Sequence, residues 1–396
     1  MWWGMRHTFR SLRYVSSAAA RNVKVAVAMS GGIDSSVSAY LLKSEGYDVI
    51  GVFMKNWDAS DEAEGHSTCT IDRDRNDWRE VCQRLDIPAV EVEFIKEYWN
   101  EVFVPMLDSY QSGAQTPNPD VVCNRRIKFD HFRKFVFDNL QVGAMATGHY
   151  ARVTTPLDSD SPVQLLRGLD ARKDQSYFLS MTPGTGLSNV LFPVGHLPKE
   201  RVKAIGQAQF QGLSVLTKPE SMGLCFVGKR DMRSFLGEYL SLTPGRFVCL
   251  ETGEVLGSHQ GKEQFTEGQG ARISGARDKY FVTFAARAGA ELGDVNVVRG
   301  SRHPRLFSRA CTVRSSDMSW IAGAPPTWDW SQPEVHHHLS CKPRYNIQPV
   351  PCSVRMQQQG VIIEFAPPVR AVTPGQVLAL YHGDVCLGGG IITTTT

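Results

Sequence analysis

The segment Ser30-Gly31-Gly32-Ile33-Asp34-Ser35 constrains this chain more than any other. It follows the apolar run Val23-Lys24-Val25-Ala26-Val27-Ala28-Met29. It precedes Val37, Tyr40 and Leu41, which recur at i, i+3 and i+4. The order is therefore strand, glycine-rich turn, helix. Such a turn aims unpaired N–H groups and the positive end of a helix dipole at one point, where an anion, above all a phosphate, belongs. Gly31 and Gly32 let the backbone approach it without a Cβ in the way. Ser30, Ser35 and Ser36 offer hydroxyl donors. No lysine follows the glycines, so this is not the G-x-x-x-x-G-K-[ST] loop.

The first half alternates strand and helix around that turn. Apolar runs near 23–29, 48–54, 89–94 and 143–148 read as strands. Helical patterns lie near 35–45, 70–85, 96–111 and 126–139. Alternation of this kind predicts a doubly wound parallel sheet with ligands beyond the carboxyl ends of its strands. Ser30 to Ser35, Met54 and Gly148-His149 all fall at such ends and should converge. Residues 184–222 read as helical and linker-like. From about 243 the texture becomes β. A hairpin turns at Thr252-Gly253, and short runs at 361–365, 376–381 and 385–387 suggest a small barrel. The stretch 315–335 reads as loop. His336-His337-His338 has no spaced partner for a metal and reads as loop as well.

The first 21 residues carry four arginines, several serines and alanines, and no acid; the first acid is Asp34. That is the pattern of a mitochondrial transit peptide. Three of the 43 basic residues lie in 1–20 and none of the 40 acids does, so 40 face 40 in the remainder. A chain so balanced has no bulk attraction for nucleic acid and would need a local basic face. Three clusters offer one: Arg125, Arg126, Lys128, Arg133 and Lys134; Lys199, Arg201 and Lys203; Arg299, Arg302, Arg305 and Arg309. No run reaches the roughly 18–20 apolar residues of a membrane helix. The nine cysteines form no C-x-x-C pair, which excludes a zinc ribbon and disfavours a secreted disulfide framework. Two stand apart. Cys123 follows Thr116-Pro117-Asn118-Pro119-Asp120-Val121-Val122, near a helix start and near Arg125, Arg126 and Lys128, features that stabilise a thiolate. Cys225 lies between Gly223 and Gly228.

The segment at 30–35 resembles the SGGxDS pyrophosphate loop (PP-loop) of ATP pyrophosphatases, which implies cleavage of ATP to AMP and pyrophosphate. From about residue 23 to the end, the chain resembles the tRNA-specific 2-thiouridylases of bacteria and mitochondria. The residues that carry this are Phe53-Met54-Lys55-Asn56-Trp57, the 116–129 stretch, Ala146-Thr147-Gly148-His149-Tyr150 and Leu166-Arg167-Gly168-Leu169-Asp170. Lys173-Asp174-Gln175-Ser176-Tyr177, the 223–228 stretch, Thr373-Pro374-Gly375-Gln376 and Val385-Cys386-Leu387-Gly388-Gly389-Gly390 complete them. Beside the transit peptide expected at 1–21, the resemblance implies a PP-loop ATPase domain at 22–222, a small central tRNA-contacting domain at 223–297 and a C-terminal β-barrel at 298–396. It implies ATP on Ala28, Met29, Ser30, Gly31, Gly32, Ile33, Asp34, Ser35, Met54 and Gly148. The target base would lie at Asn118, Pro119 and Asp120. Contacts to tRNA would come from His149, Lys173, Asp174, Gln175, Arg344, Tyr345 and Gln376. Cys225 would carry a persulfide, with Cys123 as nucleophile and partner in a transient disulfide. A cysteine desulfurase or sulfur-relay protein would supply the sulfur, and the site of action would be the mitochondrial matrix.

The chemistry needs these residue types. Oxide is a very poor leaving group from C2 of uracil; adenylating O2 makes AMP the leaving group instead. Mg²⁺ near Asp34 would offset phosphate charge. Sulfur must arrive at the sulfane level, hence a persulfide. Asp120 is placed to move a proton. The expected reaction is 2-thiolation of the wobble uridine in tRNAs of the Lys, Glu and Gln types. Two competing readings are a PP-loop ligase or amidotransferase with no use for cysteines, and a non-enzymatic RNA-binding protein. The chain departs from the family's Thr-x-Gly-Gln-Arg at Thr266-Glu267-Gly268-Gln269-Gly270, with Arg272 displaced, and shows Asn346 after Arg344-Tyr345.

Overall fold

The computed structural model describes residues 23–57, 70–112, 116–154, 162–218, 232–287, 289–332 and 337–396. Cys225, residues 1–21 and His336 lie outside them.

Strands β1 (Lys24–Ala28), β2 (Asp48–Lys55), β3 (Ala89–Glu93) and β4 (Ala144–Thr147) are joined by a fifth, Val190–Leu191. They form one all-parallel sheet in the order β3-β2-β1-β4-Val190–Leu191. Side chains alternate across a strand. Val25 and Val27 accordingly enter one core with Val37, Leu41, Trp78, Val81 and Val202, while Ala26 and Ala28 enter the other with Phe103, Ile127, Phe132 and Val136. Helices α1 (Ile33–Ser44) and α2 (Thr70–Leu85) supply residues to the first core. The helix Lys199–Gln209 packs there too, and a Cβ on Gly206 would lie 2.6 Å from Ile33. The stretch read as linker-like is thus part of the nucleotide domain. The order reverses at β1 and β4, which makes their carboxyl ends the switch point where ligands bind.

One helical run, Pro119–Cys123, Asn124–His131 and Phe132–Asn139, is continuous, with π-type winding in its middle segment. It begins earlier than the expected 126. Asn118 caps it and Pro119 occupies a first-turn position whose N–H would be orphaned anyway.

The central sheet packs Phe247, Phe265, Val282 and Val297 into a small core of its own. The C-terminal strands close into a six-stranded antiparallel barrel, in which Phe307–Trp320 pairs with both Gly360–Arg370 and Val385–Thr395. Phe307–Trp320 runs six residues into the stretch expected to be loop, because Met318, Ser319 and Trp320 pair with Gly390, Gly389 and Gly388 to close the barrel. A hairpin of the nucleotide domain, Ala151–Val153 with Leu165–Arg167, joins the barrel sheet through Leu165 on Cys386 and Leu166 on Val385. A Cβ on Gly389 would sit 2.3 Å from Ser180 Oγ, so glycine there lets the barrel abut the nucleotide domain. Among the described residues no helix is long and apolar enough to cross a membrane, and no group of three His, Cys, Asp or Glu side chains could hold a metal.

Candidate active site

The phosphate loop is shaped by its own side chains. Gly31 has φ +67, and a Cβ there would lie 2.2 Å from the Asp74 carbonyl oxygen. Ser35 Oγ and Ser36 Oγ each donate to the Gly32 carbonyl at 2.9 Å, and the Ser30 amide donates to Ser35 Oγ at 3.2 Å. The hydroxyls of Ser35 and Ser36, expected to face a phosphate, hold the turn through these bonds. Backbone N–H groups of the α1 N-terminus remain the anion donors. Met29 is buried, its sulfur 3.9 Å from Cys82, so only its backbone can serve a nucleotide. At the end of β4, a Cβ on Gly148 would lie 2.7 Å from the Ser35 nitrogen. The β4 end thus lies directly over the first turn of α1. Ala28 pairs with Val52 and Thr147, so Met54, two residues beyond Val52, belongs to the same rim.

Two lysines complete the loop, and neither role was legible. Lys199 Nζ donates to Asp34 Oδ1 and Oδ2 at 2.6 and 2.8 Å, while Tyr150 donates its hydroxyl to Oδ1 at 2.7 Å. Lys199 is 5% exposed, so it belongs to the phosphate loop and not to an RNA-facing surface. Lys218 donates to the Gly31 carbonyl at 3.0 Å and pairs with Asp74 and Asp77. The carboxylate expected to meet Mg²⁺ therefore rests on an ammonium.

The base-side segment is braced from the barrel. Asn118 Oδ1 accepts from the Val121 amide at 3.4 Å, and Asn118 Nδ2 lies 3.5 Å from the Tyr177 hydroxyl. That hydroxyl donates to the Val377 carbonyl at 2.8 Å. Gln376 Nε2 donates to the Thr116 and Pro117 carbonyls at 2.9 and 3.4 Å. Gln376, expected to touch tRNA, braces the segment that carries Asn118 through these bonds. Burial pushes the Asp120 carboxyl up, and the Lys128 charge opposes the rise. A carboxyl so placed holds a proton more readily than one in water. Cys123 is 5% exposed and packs in the core with Trp57 and Ile127.

His149 packs its ring against Phe129 at 5.9 Å and Phe192 at 6.0 Å, with Nδ1 2.7 Å from Thr147 Oγ1. Burial, then the Lys128 charge, hold its pKa well below the usual imidazole range. It is neutral at pH 7 and supplies no charge to a phosphate. Asp174 is 2% exposed, its carboxylate accepting from the Gly168 and Ser176 amides at 2.9 and 3.1 Å. Its side chain shapes the turn and is buried. Gln175 accepts from the Tyr150 amide at 2.9 Å. Tyr345 packs tilted against Phe178 with ring centroids 4.4 Å apart, and the buried Lys342, which no motif singled out, lies 5.0 Å from the Tyr345 ring. Arg344 is half-buried, and its Nε is buried without a hydrogen-bond partner among the described residues. In the variant loop, Gly270 has open space around it, and the Gly268 carbonyl accepts from Arg370 at 2.8 Å.

Residues 23–229 match a family model described as tRNA methyl transferase HUP domain. Residues 233–292 match the tRNA methyl transferase PRC-barrel domain, and 310–392 the aminomethyltransferase beta-barrel domain. The chain is 41% identical over 401 residues to mitochondrial tRNA-specific 2-thiouridylase 1 of Gallus gallus, covering 93% of this chain and 91% of the relative. Identity to the Homo sapiens protein of that name is 41% over 391 residues, covering 93% and 90%. Identity to the tRNA-specific 2-thiouridylase MnmA of Staphylococcus aureus is 42% over 377 residues, covering 94% and 95%.

Proposed function

Because the chain belongs to the family of tRNA-specific 2-thiouridylases, we propose that it is an ATP-dependent sulfurtransferase that replaces O2 of the wobble uridine of mitochondrial tRNAs by sulfur. One observation carries the mechanism. Gly148 packs on the α1 N-terminus, and the next residue, His149, packs on the helix that carries Asp120 and Cys123. A nucleotide on the loop and a base at Asn118 to Asp120 then share one cleft. The family models speak of methyl and aminomethyl transfer; a phosphate loop and paired cysteines have no part in moving a methyl group.

In the first step O2 attacks the α-phosphorus, pyrophosphate leaves, and the N3 proton passes to Asp120, whose burial favours accepting it. Asp34, whose carboxylate accepts from Lys199 and Tyr150, is the side chain that would hold a Mg²⁺ accompanying ATP, and the cation would there offset phosphate charge. In the second step the Cys123 thiolate attacks the Cys225 sulfur of the persulfide. A Cys123–Cys225 disulfide forms and HS⁻ leaves. HS⁻ adds to C2, AMP departs with the old O2, and the sulfide's proton moves to N3. Alternatively the persulfide attacks C2 itself and Cys123 then cleaves the S–S bond; both routes end in the same disulfide, which an external dithiol reduces. A cysteine desulfurase or a relay protein loads Cys225. Substrates of the Lys, Glu and Gln types, and the domain division at 22–222, 223–297 and 298–396, belong to the same proposal. So does the mitochondrial matrix, supported by the acid-free first 21 residues and by relatives named as mitochondrial.

The test is thiolation of unmodified tRNA transcripts by the full chain with Mg·ATP and desulfurase-generated persulfide, scored on a mercury-containing gel. Product that needs ATP and disappears in Cys123→Ser and Cys225→Ser is expected. Product formed equally well by either serine variant would remove the relay.

A further inference from the structure

The helix that begins at Pro119 changes its winding as it passes the cleft. In α winding, four residues overshoot a full turn by about 40°. In i→i+5 winding, four residues fall short of one. Asp120 to Asn124 is an α step; Asn124 to Lys128 lies within the π-type segment Asn124–His131. The two deviations largely cancel, so Lys128 returns to the azimuth of Asp120, two turns along. In unbroken α winding it would have drifted by about 80°. π segments of this kind recur at functional sites.

Lys128 stands between the two halves of the cleft. The next residue, Phe129, carries the ring contact with His149, and Gly148 covers Asp34 and Ser35. The Lys128 charge is felt at both Asp120 and His149, one on the base side and one on the nucleotide side. Its side chain is half-buried and forms no ion pair or hydrogen bond among the described residues. Among the described residues the acid within its field is Asp120, whose own burial favours the protonated, uncharged form, and a cation so placed suits an incoming anion. In the reaction proposed above, one anionic group lies between nucleotide and base. It is the α-phosphate, bonded first to pyrophosphate and then to O2.

We propose that Lys128 is a catalytic residue of the adenylation step, donating to the α-phosphate oxygens as the O2–phosphorus bond forms and the bond to pyrophosphate breaks. This rests on the thiolation reading. An ammonium is a compact point charge with three donors, suited to a phosphoryl group whose equatorial oxygens gain charge in transit. The lysine takes no proton; the N3 proton goes to Asp120 and the electron pair to the departing pyrophosphate.

The experiment is single-turnover transfer of label from α-³²P-ATP to a tRNA transcript by the full chain, with no sulfur donor present. Lys128→Met should slow transfer by about 10²- to 10³-fold, the cost of removing one donor to a developing oxyanion. Its affinities for ATP and for tRNA should stay within about threefold of the parent, and Lys128→Arg should recover at least about tenfold. Lys128→Gln replaces the methionine variant if thermal melting shows that Lys128→Met does not fold. Transfer by Lys128→Met within threefold of the parent overturns the assignment. So does a loss that saturating tRNA restores, accompanied by a salt dependence of tRNA binding that falls by about one phosphate contact; Lys128 would then touch the RNA backbone. If the parent chain itself labels no tRNA, the thiolation reading fails, an outcome distinct from failure of the lysine alone.

Discussion

Gly148→Ala is the most economical test of the cleft's geometry. The added Cβ would meet the Ser35 nitrogen at 2.7 Å, the Asp34 carbonyl carbon at 3.0 Å and Ser35 Cα at 3.1 Å. All three are backbone atoms in the first turn of α1, so no rotamer change relieves the clash. Ordinary contact begins near 3.4 Å, which requires a displacement of about 0.7 Å between β4 and α1. Overpacking of this kind costs about 1–3 kcal/mol of stability. The displaced atoms belong to the turn that would grip the phosphates. A misplacement near 1 Å at a reacting centre can cost about 100-fold. Losing one hydrogen bond to a charged group costs about 1.5–3 kcal/mol, or roughly ten- to a hundredfold in affinity. We therefore expect ATP affinity to fall at least tenfold and tRNA-dependent pyrophosphate release by about 100-fold. Gly270→Ala is the control, because nothing among the described residues lies within 4 Å of its Cβ position. Nucleotide titration and a pyrophosphate-release assay read both variants. If Gly148→Ala binds ATP and releases pyrophosphate within threefold of the parent, the β4 end does not set the phosphate site.

Two further predictions separate positioning from contact. Gln376→Ala removes two hydrogen bonds to the Thr116 and Pro117 carbonyls, each contributing about 0.5–1.5 kcal/mol. It should lower kcat for thiolation by about tenfold with tRNA affinity unchanged, measured by steady-state kinetics and filter binding; a raised tRNA Kd would instead make Gln376 a direct contact. Burial pushes Glu267 from an ordinary 4.5 to about 7. The folded state then binds more protons than the unfolded one between those values, so this group's share of stability is present below about pH 4.5 and is lost as pH rises through about 7. Glu45, pushed by burial to about 7 as well, acts in the same window, so Glu267→Gln should flatten the slope without abolishing it. Urea melts at pH 5 and pH 8 check this, and an unchanged slope would refute it.

The parallel sheet and the convergence of three strand ends were legible because apolar periodicity and one glycine turn fix both. Local chemistry misled where it had two uses. Pro117 and Pro119 suit turns and delayed the expected helix to 126, yet Pro119 fits the first turn of a helix capped by Asn118. Ser315 and Ser316 read as loop, yet barrel closure overrides their weak strand preference. The hydroxyls of Ser35 and Ser36 have an acceptor in their own turn, the Gly32 carbonyl, three and four residues back. Lys199 was counted as surface charge because its partner, Asp34, lies 165 positions away, a distance no local pattern spans. Asp174 and Gln376 share motifs with their neighbours, and a motif records that a residue matters without saying whether it touches substrate or frames the residues that do.

The braces on Asn118 have a kinetic consequence. Gln376 reaches across 260 positions to Thr116, and Tyr177 across 200 to Val377. Contacts of such sequence separation form slowly, because loop closure must precede any gain from them. The parallel sheet that carries the glycine turn draws on residues no later than Leu191. During folding, a chain can therefore possess its nucleotide turn well before the base-side segment is braced, and competence for chemistry on RNA is acquired last, when the barrel docks.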